Sequence, residues 1–119
     1  MDKKINSAEG VIKEIGRNDG VVTLVLAGEI DMHCSTELRG TLLEIMQEKP
    51  VVTVINMADV DFMDSSGLAV LVEGLQLSRI NSSQLKLVGL NKRVRSIFEI
   101  SRLESIFQIY ETESEALAQ

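Results

Sequence analysis

The stretch VVTVINMADVDFMDSSGLAVLV, Val51–Val72, decides the fold. Its opening, Val51-Val52-Thr53-Val54-Ile55-Asn56, is nearly all apolar and β-branched, without the alternation of a half-exposed strand. Such a run reads as a strand covered on both faces, as in a sheet with parallel neighbours. Asp64-Ser65-Ser66-Gly67 follows, rich in residues that cap helices. The apolar run after it predicts a helix over Ser66 to Ile80, broken by Asn81-Ser82-Ser83. Strand, capped junction and helix make a crossover, and the next strand, Leu85 to Val88, should lie parallel to the first.

Working outward, Val11 to Ile15 and Val21 to Ala27 flank the turn formers Asn18-Asp19-Gly20 and predict a hairpin. Leu38, Leu42, Ile45 and Met46 recur at i, i+4, i+7 and i+8, so a helix is expected over Thr36 to Gln47, stopped at Pro50. Downstream, Asn91 caps a third helix with Val94, Ile97 and Phe98 on one face. Ile106 to Tyr110 reads as a last short strand and Glu113 to Ala118 as a short acidic helix. The order β-β-α-β-α-β-α-β-α predicts one α/β domain over residues 1–119. Its sheet is mixed and mostly parallel, with an antiparallel edge hairpin and about four helices, mainly on one face. Residues 1–9 are expected to be a loosely ordered N-terminal extension.

Composition narrows the function. The chain has 119 residues, 45% of them apolar, enough for one packed core. A formal net charge of -6 argues against nonspecific binding to nucleic acid or anionic membrane. Cys34 is the only cysteine and His33 the only histidine, so neither an internal disulfide nor a Cys/His metal centre is expected. MDKKINSAEG has no apolar segment of the signal-peptide kind, and no apolar run is long enough to cross a bilayer. A soluble cytoplasmic protein is the expectation.

The serine pair admits three readings. A nucleophile needs a base and an oxyanion hole. Asp31 and His33 follow a strand and would share a sheet edge with Ser65, yet Asp64-Ser65-Ser66-Gly67-Leu68 lacks the G-x-S-x-G signature. Nor is there a Gly-rich phosphate loop. A lone histidine in a polar loop is ordinarily a solvated side chain, so a hydrolase is disfavoured. Capping is the second reading: Asp64 or one serine would satisfy amides of the first helical turn, worth about 1 kcal/mol. The third is a surface that another protein modifies. Leu68, Leu71, Val72 and Leu75 form the expected buried stripe, while Ala69, Val70 and Leu77 lie off it. That surplus of apolar surface indicates deeper burial or a partner in equal measure. Lys92-Arg93-x-Arg95 reads as a solvated face.

Three segments, GEIDMHCSTELRG, the opening stretch, and LKLVGLNKRVRSIFEISRLESIFQIYETESEAL, together resemble a STAS domain, and more closely the bacterial anti-sigma factor antagonists. The likeness spans nearly the whole chain after the first ten residues or so. It implies a binding protein, not an enzyme, with no metal and no cofactor of its own. The antagonist would bind an anti-sigma factor that is also a serine kinase, and so free a sigma factor. The kinase, using ATP, would phosphorylate Ser65 and be released; a serine phosphatase would reset the switch. Asp31, Asp64, Ser66, Gly67 and Leu68 would belong to the partner-binding surface. The alternative within the family is a STAS scaffold or transport-complex subunit without a phosphorylation cycle. The resemblance leaves the oligomeric state open.

Overall fold

A computed structural model describes residues 2–4 and 10–118 of the chain. Six strands lie side by side in chain order. β1 (Asp2–Lys4), β2 (Ile12–Asn18) and β3 (Val21–Ile30) run antiparallel to one another. β4 (Val52–Met63), β5 (Gln84–Val88) and β6 (Gln108–Tyr110) extend the sheet in parallel from β3. The expected mixed sheet with its antiparallel hairpin is therefore present. The edge strand, however, is β1, drawn from the N-terminal extension; residues 1 and 5–9 of that extension lie outside the described residues.

Three helices, α1 (Ser35–Gln47), α2 (Ser65–Ile80) and α3 (Lys92–Ile100), cover one face. Strand alternation sends Leu24, Leu26, Ile55, Leu85 and Leu87 to that face, where Leu38, Leu42, Leu71, Leu75, Val94 and Phe98 meet them. Gly74 lets α1 and α2 approach: a Cβ there would stand 2.5 Å from Leu42 Cδ2. Phe107 packs edge-on against Phe98, ring centroids 5.3 Å apart. The segment expected as a strand over Ile106 to Tyr110 begins instead with a 3-10 turn, Glu104–Ile106, and only Gln108–Tyr110 joins the sheet.

The other face carries α4 (Glu113–Ala118), whose Ala116 packs on Val54 and Val88. Thr53, Val54 and Ile55 are all sealed, which verifies a central strand covered on both sides. Lys86 points toward α4 and is 2% exposed. Its ammonium donates to the Ala116 carbonyl at 2.7 Å and stands 5.5 Å from the centroid of the Tyr110 ring. A cation thus meets a carbonyl of the last helical turn, where the helix dipole is negative.

The feature that builds the functional end is the length of β4. Its pairing with β5 stops at Asn56, but it continues beside β3 to Met63. Two register shifts, between Val25 and Ala27 and between Gly28 and Glu29, each place one extra residue on β4. Bulges of this kind re-aim the side chains beyond them. Met57, Val60 and Met63 consequently all reach the helix-side core, at a spacing of three where a regular strand has two. Gly89, at φ +79°, passes so close to the first bulge that a Cβ would lie 3.0 Å from Ala58.

Candidate functional site

The C-terminal ends of β3 and β4 finish level with each other: Ile30 pairs with Met63, and the Asp64 amide donates to the Ile30 carbonyl at 3.0 Å. The loop Asp31–Cys34 and the junction Asp64-Ser65 are therefore neighbours on one rim. Asp31 folds its own loop. Its carboxylate accepts from the His33 amide at 2.9 Å, and its carbonyl accepts from the Ser35 amide at 3.0 Å. Cys34 occupies the N-cap position of α1 without a side-chain cap bond; partial burial pushes its thiol pKa up.

Asp64 is the N-cap of α2. It is extended, φ -102° and ψ -172°, and one carboxylate oxygen accepts from the Ser66 amide at 2.9 Å and the Gly67 amide at 3.3 Å. The Ser66 hydroxyl donates to the same oxygen at 2.6 Å. That hydroxyl above all, joined by the amides of Ser66, Gly67 and Met32, holds the Asp64 carboxyl below its ordinary value and outweighs the opposing effect of burial, which exceeds that of any one amide. The cap is thus Asp64, and Ser66 is its auxiliary.

Ser65 is left with neither task. It is exposed at the first position of α2, and its hydroxyl makes no hydrogen bond among the described residues. Its backbone begins a sixteen-residue helix whose buried face is locked in the core. A free hydroxyl on a rigid mount, outside the packed interior, is what a protein kinase can reach.

Below Ser65 lies a shallow groove of about 560 Å³, lined by Ser65, Leu68, Ala69, Val72, Glu73, Gln76 and Leu103. Glu73 at its edge is paired with Arg39 of α1 through two bonds of 2.7 and 2.9 Å. The guanidinium beside it depresses the Glu73 carboxyl. The groove is therefore apolar along its floor.

A family model for the STAS domain matches residues 13–116. The chain belongs to the STAS domain family. Among its relatives, an anti-sigma-B factor antagonist of Listeria monocytogenes is 34% identical over 104 residues, covering 87% of this chain and 90% of that protein. An anti-sigma F factor antagonist of Paenibacillus polymyxa is 30% identical, covering 89% and 92%. Of solved structures, an anti-sigma factor antagonist from Mycobacterium paratuberculosis superposes with a TM-score of 0.80 at 25% identity, covering 87% of this chain and 88% of that one.

In this STAS domain the residues singled out from sequence fall into two groups. Asp31, Asp64, Ser65 and Ser66 share the rim. Gly67 does not serve an approaching partner: it is buried, and a Cβ would lie 2.7 Å from both Ile30 Cγ2 and Met63 Cγ. Its missing side chain lets α2 start hard against the ends of β3 and β4. Leu68 is 5% exposed and borders the groove from below. Val70, placed off the buried stripe by helical spacing, is in fact core, and Val72 is only half-buried on the groove side. His33 is 87% exposed, faces Asp31 at 3.5 Å, and forms no hydrogen bond with Ser65, so the parts of a hydrolytic pair are not assembled. Sequence reasoning passed over Met32, 71% exposed, and Phe62, 39% exposed. Met32 stood unremarked inside a polar loop; Phe62 was hidden by the bulges that set its direction.

Proposed function

We propose that this chain is an anti-sigma factor antagonist working by partner switching. In the unmodified state it binds an anti-sigma factor that is also a serine kinase, and the sigma factor is freed. The Ser65 hydroxyl oxygen attacks the γ-phosphorus of ATP on the kinase, ADP leaves, and the hydroxyl proton passes to a base of the kinase. The bond formed is the Ser65 Oγ–P ester. A phosphatase returns the hydroxyl by hydrolysis. Asp31, Ser66 and the groove beside Leu68 form the partner-facing surface.

The observation that carries this reading is the unengaged, exposed hydroxyl of Ser65 beside a neighbour fully occupied by capping. The names of the curated relatives support the antagonist role. Physical chemistry supplies the switch. Phosphorylation adds about -1.5 to -2 charges to a rim that already carries Asp31 and Asp64. A partner carboxylate brought to roughly 5 Å from such a group, at an effective dielectric near 40, is repelled by on the order of 3 kcal/mol. A loss of about 2–3 kcal/mol weakens binding by roughly 30–150-fold.

The test is incubation with the cognate kinase and ATP, with the phosphate mapped by mass spectrometry. Modification at Ser65 is expected, Ser65→Ala should hold the kinase persistently, and Ser65→Asp should bind it poorly. Modification confined to another residue, or equal affinity of the two variants, contradicts the proposal. Equal affinity would favour a STAS subunit that binds without a phosphorylation cycle.

A further inference from the structure

We infer that Asp64 decides which of the two serines is modified: it holds the Ser66 hydroxyl, reserves the reaction for Ser65, and so limits the junction to one phosphate. This rests on the partner-switching reading and deepens it.

Two serine hydroxyls stand on consecutive residues of the first turn of α2. Successive helix positions differ by about 1.5 Å along the axis and about 100° around it, so an enzyme that reaches one is close to the other. Their chemistry is the same, and their partners are not. Ser65 is exposed, and its hydroxyl makes no hydrogen bond among the described residues. Ser66 is half-buried, and its hydroxyl donates to Asp64 Oδ1 at 2.6 Å.

Phosphoryl transfer needs a hydroxyl whose proton can pass to the kinase's base while its oxygen lies in line with the γ-phosphorus. Ser65 meets both demands. The Ser66 proton is already committed to a carboxylate, and bringing the γ-phosphate to the Ser66 oxygen sets like charges side by side. Asp64 has no slack with which to give way. Its amide donates to the Ile30 carbonyl at 3.0 Å, and its own carbonyl accepts from the Leu68 amide at 3.2 Å. The oxygen that takes the Ser66 hydroxyl also accepts the Ser66 and Gly67 amides. Gly67, tight against Ile30 and Met63, stops the helix start from shifting. An ester at Ser66 would therefore strip a donor from the cap, whereas an ester at Ser65 strips none.

The experiment incubates the full chain with its cognate anti-sigma factor kinase and magnesium ATP. Intact mass counts the phosphates, and fragmentation places them. The variants are Asp64→Gly, Ser65→Ala, and Ser65→Ala combined with Asp64→Gly or with Asp64→Asn. Glycine removes the acceptor yet is tolerated at an N-cap far better than alanine, and asparagine keeps an accepting oxygen. The unaltered chain should take one phosphate, at Ser65, and Asp64→Gly should take it at both serines. Ser65→Ala should be modified at Ser66 very slowly. Adding Asp64→Gly should speed that reaction roughly 10–100-fold, the worth of a hydrogen bond to a charged group. In it the Ser66 Oγ–P bond forms, the bond from the γ-phosphorus to ADP breaks, and the hydroxyl proton passes to the kinase's base. Adding Asp64→Asn should leave Ser66 as slow as in Ser65→Ala. If Asp64→Gly brings no gain at Ser66 while the unaltered chain is modified at Ser65, position alone selects the serine: the inference is overturned and the switch stands. Equal gains with glycine and asparagine also overturn it, because the accepting oxygen would not be what holds Ser66. So does an Asp64→Gly chain that is modified at neither serine, which would make Asp64 a docking residue. An unaltered chain modified at Ser66, or at neither serine, overturns the inference and the partner-switching reading together.

Discussion

Removing the cap tests how the junction is held. Asp64 accepts two backbone amides and the Ser66 hydroxyl on one oxygen. Replacing an N-cap carboxylate by alanine costs about 0.5–2 kcal/mol in general. Here three donors lose their acceptor together, so Asp64→Ala should fall near the top of that range, about 2 kcal/mol. At about 4 °C per kcal/mol for a domain of this size, the melting temperature should drop by about 8 °C. Asp64→Asn keeps an acceptor and loses only the charge at the helix N-terminus, worth roughly 0.3–1 kcal/mol. The pH dependence has a definite sign. The folded carboxyl titrates below its unfolded value, so its contribution is complete above the unfolded value and is lost as pH falls through the folded one. Urea unfolding followed by circular dichroism should therefore show the gap between wild type and Asp64→Asn narrowing from pH 7 to about pH 3. A gap as wide in acid as at neutrality, or an Asp64→Ala variant within about 0.5 kcal/mol of wild type, would refute this account of the cap.

Gly67→Ala drives a methyl to 2.7 Å from Ile30 and Met63. Overpacking should cost about 1–3 kcal/mol, only partly offset by helix propensity, and thermal melts would show the loss. Lys86→Met fills the same space but leaves the Ala116 carbonyl without its donor. A loss of about 1–2 kcal/mol is expected, concentrated in faster hydrogen exchange over Glu113–Ala118.

Much of the fold was legible because its elements obey the simple periods. α1 shows a clean stripe, the hairpin has its turn formers, and the sealed start of β4 is a bare apolar run. The rest was obscured for identifiable reasons. Beyond Asn56 the two bulges turn the strand period of two into a spacing of three at Met57, Val60 and Met63, so the overhang does not read as strand at all. Lys86 looks like a surface residue until α4 is seen to lie across it. Val70 and Val72 exchange places because α2 is pressed between the sheet, α1 and α3, and a single stripe does not describe a helix with three neighbours. At the site, composition located Asp64-Ser65-Ser66-Gly67 but not the division of labour within it. Only the hydrogen bonds show that Asp64 and Ser66 form the cap and that Ser65 is free, and only the close approach of Ile30 and Met63 shows that Gly67 is a packing residue.

That division bears on what a phosphate at Ser65 would do. A helix N-terminus ordinarily stabilises an anion through its unpaired amides. In α2 those of Ser66 and Gly67 are already bound by Asp64, and that of Leu68 donates to the Asp64 carbonyl at 3.2 Å. A phosphate on Ser65 would find few amides to neutralise it and a carboxylate already in place. It would project from the rim with most of its charge uncompensated by its own protein. The same cap that fixes the hydroxyl would thereby keep the modified serine repellent to an acidic partner, while the buried face of α2, remote from the new charge, leaves the fold unchanged. If the phosphate instead displaced Asp64 from the amides, phosphorylation would release the Asp64 carboxyl and raise its pKa. Carboxyl titration of the modified and unmodified chains by nuclear magnetic resonance separates the two cases, and a raised Asp64 value after phosphorylation would show that the cap had been surrendered.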